Sequence, residues 1–197
     1  FVLGEKFIGR ENVAMILGDN FFYGQNLTTK LLESTKLKKG AKVVLHKVQK
    51  PESFGVAKIN NKNKIISIKE KPKKFLSDLA ITGLYFFDNK VVDYAKKLKP
   101  SKRGELEITD LLNQYRLKKK LKADFIGRGG AWLDTGSIED FYKTTMFVSA
   151  IENRQGFKIG CLEEIAFNNN WIKKTHLKNA IKFYGNCDYS TYLKKLK

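Results

Sequence analysis

The chain has 197 residues, of which 42% are hydrophobic and 29% charged, and its formal net charge is +18 at pH 7. These values are typical of one globular domain with a small appendage, and no apolar run reaches the length of a membrane span. No signal peptide is evident, and two cysteines, Cys161 and Cys187, are too few for a disulfide framework. We therefore expect free thiols, a cytoplasmic location and no membrane partner.

The excess of positive charge is an argument for a nucleic-acid partner, because clustered cations attract polyanions. Lysines occur along the whole chain, however, and acids such as Glu105, Glu107 and Asp110 are interspersed with them. This distribution favours solvated surface lysines and predicts no nucleic-acid partner. A polyanion-binding protein stays as an alternative, which a steep salt dependence of DNA binding would support.

The first predicted elements form a strand-helix-strand unit. Residues 13–17 are an apolar run without polar alternation, which predicts a buried strand of a parallel sheet. After the turn at residues 18–20, leucines from position 27 onward have helical spacing, and Gly40 ends the helix. Residues 41–48 are the second strand. Such a unit predicts part of a parallel sheet.

Alternating patterns and turn residues predict a hairpin, a further aromatic-rich strand, two helices and a last strand. These elements occupy 55–60 with 65–70, then 79–87, 89–98, 107–120 and 123–127.

The C-terminal part is predicted to be helical. Ser137-Ile138-Glu139-Asp140 resembles a capping box, and an amphipathic stripe follows it. From about Arg154 onward the pattern gives short helical stretches and no strand. We therefore predict an α/β domain over residues 1–153 and a helical segment over residues 154–197.

Two aspartates stand where the chemistry of a phosphate-handling enzyme would need them. Asp19 follows the first strand at its carboxyl end, which is where open α/β sheets bind ligands. Asp134 lies in Trp132-Leu133-Asp134-Thr135-Gly136, just before a helix. Together they could hold one Mg²⁺, which prefers one or two carboxylates plus substrate phosphates. Each aspartate alone could equally serve a turn or a helix start.

Two further motifs carry charged groups suited to an anionic substrate. Glu70-Lys71-Pro72 closes a strand and offers an acceptor beside a cation, although a surface ion pair is the alternative. Arg103 precedes a helix in a segment whose acids could serve as capping residues. The forked donors of Arg103 match a phosphate group.

In their order and spacing, the motifs of this chain resemble those of glucose-1-phosphate thymidylyltransferases over essentially its whole length. The matching segments are Leu17-Gly18-Asp19-Asn20, Phe54-Gly55-Val56, Glu70-Lys71-Pro72, Thr82-Gly83-Leu84-Tyr85, Arg103-Gly104-Glu105-Leu106-Glu107-Ile108-Thr109-Asp110, Gly127-Arg128-Gly129, Trp132-Leu133-Asp134-Thr135-Gly136, Glu152-Asn153-Arg154-Gln155-Gly156 and Glu163-Glu164-Ile165-Ala166-Phe167.

The resemblance implies a Rossmann-like, GT-A-like α/β nucleotidyltransferase fold with a mixed sheet, flanking helices and a helical C-terminal segment. It implies the reaction of dTTP with glucose 1-phosphate to dTDP-glucose and pyrophosphate, which serves dTDP-rhamnose and other nucleotide-sugar synthesis. Members of the family are homotetramers, so a homo-oligomer is expected. Mg²⁺ is the implied cofactor.

The resemblance also implies a role for each matching residue. Asp19 and Asp134 would hold Mg²⁺, and Lys71 and Arg103 would bind the sugar phosphate and act in catalysis. The expected sugar-binding residues are Phe54, Gly55, Glu70, Ile81, Gly83, Tyr85 and Trp132. The expected residues of a second, regulatory nucleotide site are Tyr23, Gly24, Arg128 and Glu164.

Two departures from the family pattern stand out. Phe54 replaces a common tyrosine, so one hydroxyl contact with the sugar is lost. The family's Gly-rich, Arg-containing loop and its base-binding residues have no counterpart before Phe1, so we expect a chain that lacks the N-terminal strands, is inactive alone and is prone to aggregate. Another nucleotide or hexose phosphate, or a non-catalytic sugar-phosphate-binding module, remain alternatives.

Overall fold

The computed structural model describes residues 1–196, and the chain divides into two compact units, Phe1–Gly136 and Ser137–Lys197. The sequence placed the boundary between residues 153 and 154. The intervening helix, Ile138–Gln155, belongs to the second unit, where its Glu152 carboxylate accepts hydrogen bonds from Lys158 Nζ at 2.7 Å and from the Ile159 N–H at 2.9 Å.

The described elements alternate between strands and helices in the first unit and are helical in the second. The strands are β1 (Val13–Ile16), β2 (Asn20–Tyr23), β3 (Ala41–Lys47), β4 (Gly55–Ile59), β5 (Ile65–Glu70), β6 (Leu79–Phe87), β7 (Leu121–Phe125) and β8 (Ala131–Asp134). The helices are α1 (Glu5–Ile8), α2 (Leu27–Thr35), α3 (Val91–Ala95), α4 (Ile108–Leu117), α5 (Ile138–Gln155), α6 (Leu162–Asn168), α7 (Lys174–Tyr184) and α8 (Asp188–Leu193).

The main sheet of the first unit is mixed. Its strand order is β5-β4-β6-β3-β7, and β1 also pairs with β6. Strands β1, β3 and β4 run antiparallel to β6, whereas β3 and β7 are parallel. The predicted hairpin of β4 and β5 and the predicted strand β6 are confirmed. This is the mixed α/β architecture that the family resemblance implies.

The prediction for residues 13–17 was wrong in two respects. Strand β1 is antiparallel to its partner, and Ala14 and Ile16 are exposed, so it is not a buried parallel strand. The physical reason is that β6 lies beside both β1 and β3 and runs opposite to each. In the sheet, strand β6 therefore lies between β1 and β3, the two strands of the predicted strand-helix-strand unit.

The core of the first unit lies on both faces of this sheet. On one face Val43, Leu45 and Phe87 pack with α3 and α4, where Leu112 and Tyr115 are fully buried. On the other face a smaller cluster contains residues of β3, β6 and α2: Val44, Leu84 and Phe86, with Phe22, Leu31, Leu37 and Ile126 against them. The two clusters follow the period of two along each strand.

The first unit also contains a second, two-stranded sheet. Strand β2 pairs antiparallel with β8, which sets Asn20 opposite Asp134 and Tyr23 opposite Ala131. Neither strand was predicted, because residues 18–20 have the composition of a turn. The pairing joins two segments that are more than one hundred residues apart in sequence.

The second unit is helical over its described residues, as predicted. The Ser137 Oγ accepts a hydrogen bond from the Asp140 N–H at 3.0 Å and caps α5. Its small core contains Cys161, Tyr192 and Leu193. Cys161 is buried and Cys187 exposed, both as free thiols, as expected. Through residue 196, no helix combines the length and hydropathy that crossing a membrane requires.

Gly40 provides a test of this packing. It has φ +94°, and a Cβ there would lie 2.4 Å from the carbonyl oxygen of Lys120, where β3 joins β7. We expect Gly40→Ala to lower the free energy of unfolding by more than about 2 kcal/mol, because the neighbour is backbone and cannot move aside. Urea denaturation followed by circular dichroism measures this value.

The matched control is Gly9→Ala, which shares the positive φ, +56°, but has no atom within 4 Å of the added carbon. Only the conformational cost, about 1–3 kcal/mol, is expected there, so the loss in Gly40→Ala should exceed it by the steric cost. Equal losses in the two variants would contradict the steric argument.

Candidate active site

One cavity of about 220 Å³ in the first unit gathers most of the residues that the sequence singled out. Strands β4, β5 and β6, the start of α4 and strand β8 supply its walls. The predicted sugar-binding residues that line it are Phe54, Gly55, Glu70, Lys71, Ile81, Gly83, Tyr85 and Trp132. Asp134 also lines it. Arg103 does not, but its Nη1 lies 3.6 Å from Glu70 Oε1.

Two glycines make room in this cavity. A Cβ on Gly55 would lie 2.8 Å from Thr109 Cγ2 and 3.1 Å from Glu70 Oε2. A Cβ on Gly83 would lie 2.6 Å from Asn20 Oδ1. Any larger residue would therefore push polar groups of the site out of position. The two glycines thus let Thr109, Glu70 and Asn20 pack directly against the backbone of the cavity wall.

Glu70 is the main acidic group of the cavity. Burial and the nearby charge of Glu107 raise the pKa of Glu70, although Lys71 and Arg103 partly oppose the effect. Burial, with the charge of Glu70, also raises the pKa of Tyr85, so its hydroxyl stays protonated at neutral pH. The cavity therefore presents a carboxylate acceptor beside a phenolic donor, a pair suited to sugar hydroxyls.

Lys71 has an unusual backbone. Its φ is +36°, a conformation that costs a non-glycine residue of order 1 kcal/mol or more. The Lys71 N–H donates to the Phe54 carbonyl at 3.0 Å, which continues the β4–β5 ladder past Glu70. Strained residues cluster at functional sites, so the conformation supports a role for this lysine.

The two predicted metal ligands lie side by side. The carbonyl oxygen of Asp19 accepts from the Thr135 N–H at 2.7 Å and from Thr135 Oγ1 at 2.8 Å, directly after Asp134. A Cβ on Gly136 would lie 3.1 Å from Asp134 Oδ1 and 3.6 Å from Asp19 Oδ2. The β2–β8 pairing therefore brings both carboxylates close to Gly136.

This donor set fits a magnesium ion. One oxygen of each carboxylate is held by the protein, since Asn20 Nδ2 donates to Asp19 Oδ1 at 2.8 Å and the Gly136 N–H donates to Asp134 Oδ1 at 2.9 Å. Within residues 1–196 the other oxygen of each accepts no hydrogen bond. No cluster of three or more His, Cys, Asp or Glu ligands occurs in that range. Two carboxylates completed by water and substrate phosphates are a typical Mg²⁺ site.

Asn20 is a site residue that the sequence reasoning missed. Its Oδ1 accepts from the Gly83 N–H at 2.9 Å and from Trp132 Nε1 at 2.6 Å, while its Nδ2 donates to Asp19. One side chain thus connects the cavity-lining strand β6, the aromatic wall and a predicted metal ligand. In the sequence, Asn20 is indistinguishable from an ordinary turn residue after Asp19.

The expected regulatory residues belong to both units of the chain. Tyr23 and Gly24 line a separate cavity of about 250 Å³ between α2 and β7, and Arg128 lies in the loop that supplies Gly127 and Gly129 to its wall. Glu164 belongs to the second unit, where it accepts from Tyr192 Oη at 2.7 Å. A regulatory nucleotide site stays a prediction.

Comparison with known proteins agrees with this geometry. Residues 1–151 match the family model described as nucleotidyl transferase. The glucose-1-phosphate thymidylyltransferase of Neisseria meningitidis serogroup A is 45% identical over 196 residues, which cover all of this chain and 68% of that protein. The corresponding protein of Mycolicibacterium smegmatis is 40% identical, with the same coverage. The chain thus spans about two thirds of the length of these relatives.

One solved structure agrees with this assignment, and a second, more distant one shares the fold. A structure described as a glucose-1-phosphate thymidylyltransferase from Bacillus anthracis, in complex with a sucrose, is 44% identical and superposes with a TM-score of 0.66 over 74% of this chain and 57% of that one. A UDP-glucose pyrophosphorylase complexed with UDP-glucose, 24% identical, shares the fold with a TM-score of 0.65 over 78% of this chain and 61% of its own. The chain belongs to the nucleotidyl transferase family and, within it, to the glucose-1-phosphate thymidylyltransferases.

Proposed function

We propose that this protein transfers a thymidylyl group from dTTP to glucose 1-phosphate, giving dTDP-glucose and pyrophosphate. The observation that carries the proposal is the convergence of a hydroxyl-binding cavity, two cationic side chains and a carboxylate pair within one unit. The family membership of the chain supports the same reaction. The choice of nucleotide rests on the names of the relatives alone.

The sugar would be held by a carboxylate acceptor and a phenolic donor. Glu70, when ionised, accepts hydrogen bonds from sugar hydroxyls, and neutral Tyr85 can donate one. Gly55 and Gly83 leave room for the side chains of Glu70 and Asn20 to take their places at the cavity. Phe54 packs edge-on against Trp132 with ring centroids 5.0 Å apart, so this wall of the pocket is apolar. A fixed sugar places its phosphate, which is the reacting group.

The chemistry itself needs no protein nucleophile. A phosphate oxygen of glucose 1-phosphate attacks the α-phosphorus of dTTP, the new P–O bond forms, and the bond to the leaving pyrophosphate breaks. Lys71 and Arg103 would reduce the repulsion between the two anions. Asp19 and Asp134 would hold Mg²⁺, which when bound supplies positive charge to the phosphates.

The reaction is tested by turnover of the complete protein with glucose 1-phosphate and each of dTTP, UTP, CTP and ATP. Pyrophosphate release that is fastest with dTTP is the expected result. Preference for another nucleotide would assign a relative of different specificity. Binding of glucose 1-phosphate in calorimetry without turnover of any nucleotide would instead indicate a non-catalytic sugar-phosphate-binding protein.

The metal role predicts the behaviour of Asp134→Asn in the complete protein. The amide oxygen keeps an acceptor for the Gly136 N–H, but the negative charge is lost. We expect a loss of about 2–4 kcal/mol in transition-state stabilisation, or roughly 30- to 1000-fold in turnover. The Mg²⁺ concentration needed for half-maximal rate should also rise.

Asp78→Asn is the matched control, because Asp78 is a half-exposed acid of the same unit that pairs with Lys47 at 3.1 Å, outside the cavity. It should leave turnover unchanged. Near-normal turnover of Asp134→Asn would remove the aspartate from the metal site.

The raised pKa of Glu70 gives a pH prediction. Because the pKa is raised in the folded protein, ionised Glu70 lowers stability, and this cost disappears as the pH falls through that pKa. Glu70→Gln should therefore keep or increase the melting temperature at pH 8. It should weaken binding of methyl α-glucoside about tenfold, since a charged acceptor is replaced by a neutral one.

Methyl α-glucoside carries no titrating group, so its affinity, measured by NMR titration, isolates Glu70. Wild-type affinity should fall as the pH is lowered through the raised pKa of Glu70, whereas affinity in Glu70→Gln should be flat. A pH-independent wild type would contradict the assignment.

The assembly of the protein also belongs to the proposal. Helix α5 exposes large apolar side chains, among them Ile138, Phe141, Tyr142 and Met146, which are 56–91% accessible. Exposed apolar surface of this kind supports the homo-oligomer expected from the family. The tetrameric state, the cytoplasmic location and the bound Mg²⁺ stay predictions.

A further inference from the structure

Arg103 is surrounded by carboxylates. Its Nη1 lies 3.6 Å from Glu70 Oε1 and 3.5 Å from Glu107 Oε1, and its Nη2 lies 3.2 Å from Glu105 Oε2. The guanidinium that should bind a phosphate is thus engaged by three anions. A phosphate that binds there competes with these carboxylates for the N–H groups of the guanidinium. The three carboxylates differ in burial, and this difference indicates which of them stays paired with Arg103 when a phosphate binds.

Glu107 is the buried member of the three. Its side chain is 8% exposed, against 59% for Glu105 and 22% for Glu70. It occupies the N-cap position of α4, yet its side chain makes no capping hydrogen bond. The sequence-based alternative that these acids only cap the helix therefore does not hold for Glu107. A buried carboxylate is costly unless it is paired, and Arg103 is its one cationic partner within residues 1–196.

Glu107 also reaches the backbone of Arg103. Its Oε1 accepts from Ser101 Oγ at 2.8 Å, and the same Ser101 Oγ accepts from the Arg103 N–H at 3.1 Å. The loop is closed by the Ser101 N–H, which donates to Glu105 O at 2.8 Å. Glu107 thus fixes the arginine at both ends, through Ser101 at the main chain and directly at the guanidinium.

We propose that Glu107 is a positioning residue, which holds the Arg103 guanidinium beside Glu70 so that the phosphate of the sugar substrate displaces exposed Glu105 and leaves the Glu107 pair intact. The inference rests on the proposed function, because it takes Arg103 as the phosphate ligand. A long arginine side chain loses much conformational freedom when it binds, and prior fixation by Glu107 removes part of that cost. Glu107 itself touches no substrate.

The test uses Glu107→Gln in the complete protein, with Asp110→Asn as matched control. Asp110 is an exposed acid in the first turn of α4, three residues further on. Binding of glucose 1-phosphate and of methyl α-glucoside is measured for each variant. Glu107→Gln should weaken glucose 1-phosphate binding about five- to twentyfold and methyl α-glucoside binding less than twofold, while Asp110→Asn changes neither.

The second part is a double-mutant cycle with Arg103→Gln. If Glu107 acts through Arg103, its substitution should have no further effect once the arginine is gone. Should Glu107→Gln fail to fold, Ser101→Ala is the second variant, because it removes the hydrogen bonds of Ser101 Oγ to Glu107 and to the Arg103 main chain but keeps the direct Glu107–Arg103 contact. It should weaken glucose 1-phosphate binding two- to fivefold with methyl α-glucoside unaffected.

The other possible results of these binding measurements would each contradict the inference or the proposed function. Unchanged binding of glucose 1-phosphate by Glu107→Gln would show that Glu107 has no role in phosphate binding, and tighter binding would show that Glu107 competes with the phosphate for Arg103. Either result would overturn the inference. Equal losses for both ligands, or losses that add to those of Arg103→Gln, would show that Glu107 only shapes the pocket. An Arg103→Gln protein that binds glucose 1-phosphate normally overturns the inference alone, whereas a wild type that does not bind glucose 1-phosphate overturns the proposed function with it.

Discussion

The antiparallel pairing of β2 with β8 is the constraint on which the candidate site depends. It places Asn20 opposite Asp134 and ties the Asp19 carbonyl to Thr135, so two aspartates far apart in sequence share one location. Asn20 then carries the constraint further, because its amide binds the Gly83 N–H and Trp132 Nε1 as well as Asp19. The placement of the carboxylate pair is therefore coupled to the placement of the groups that line the candidate cavity.

The same site stores unfavourable electrostatics. Burial and the charge of Glu107 raise the pKa of Glu70, and Lys71 adopts a strained backbone next to it. Such features lower stability and persist because the surrounding sheet, buried along all of β6, holds them in place. A carboxylate that folding disfavours as an anion is a stronger acceptor for sugar hydroxyls that replace its lost water. The buried sheet thus supplies the stability that the unfavourable conformations and charges of Lys71 and Glu70 require.

Much of this could be predicted from local patterns. The β4–β5 hairpin and β6 follow from alternation and turn residues, and the cap at Ser137 from its spacing to Asp140. The direction of β1 could not, since an apolar run does not state which strand will lie beside it. Strands β2 and β8 were missed because each has four residues and is stabilised by the other, a non-local contact.

The residues of the candidate site also differ in whether local sequence motifs or non-local contacts reveal them. Most of the glycines and charged groups that the sequence singled out line one cavity or lie beside it, and their chemistry is visible where they stand in the sequence. Asn20 and Glu107 were not, because each has an ordinary local role, as a turn residue or a helix cap, that the fold does not use. Asn20 lies in a strand and Glu107 makes no cap bond, so both side chains are free to serve another residue. The proposed positioning role of Glu107 thus starts from a polar side chain that does not make its expected local hydrogen bond, a feature that only three-dimensional contacts reveal.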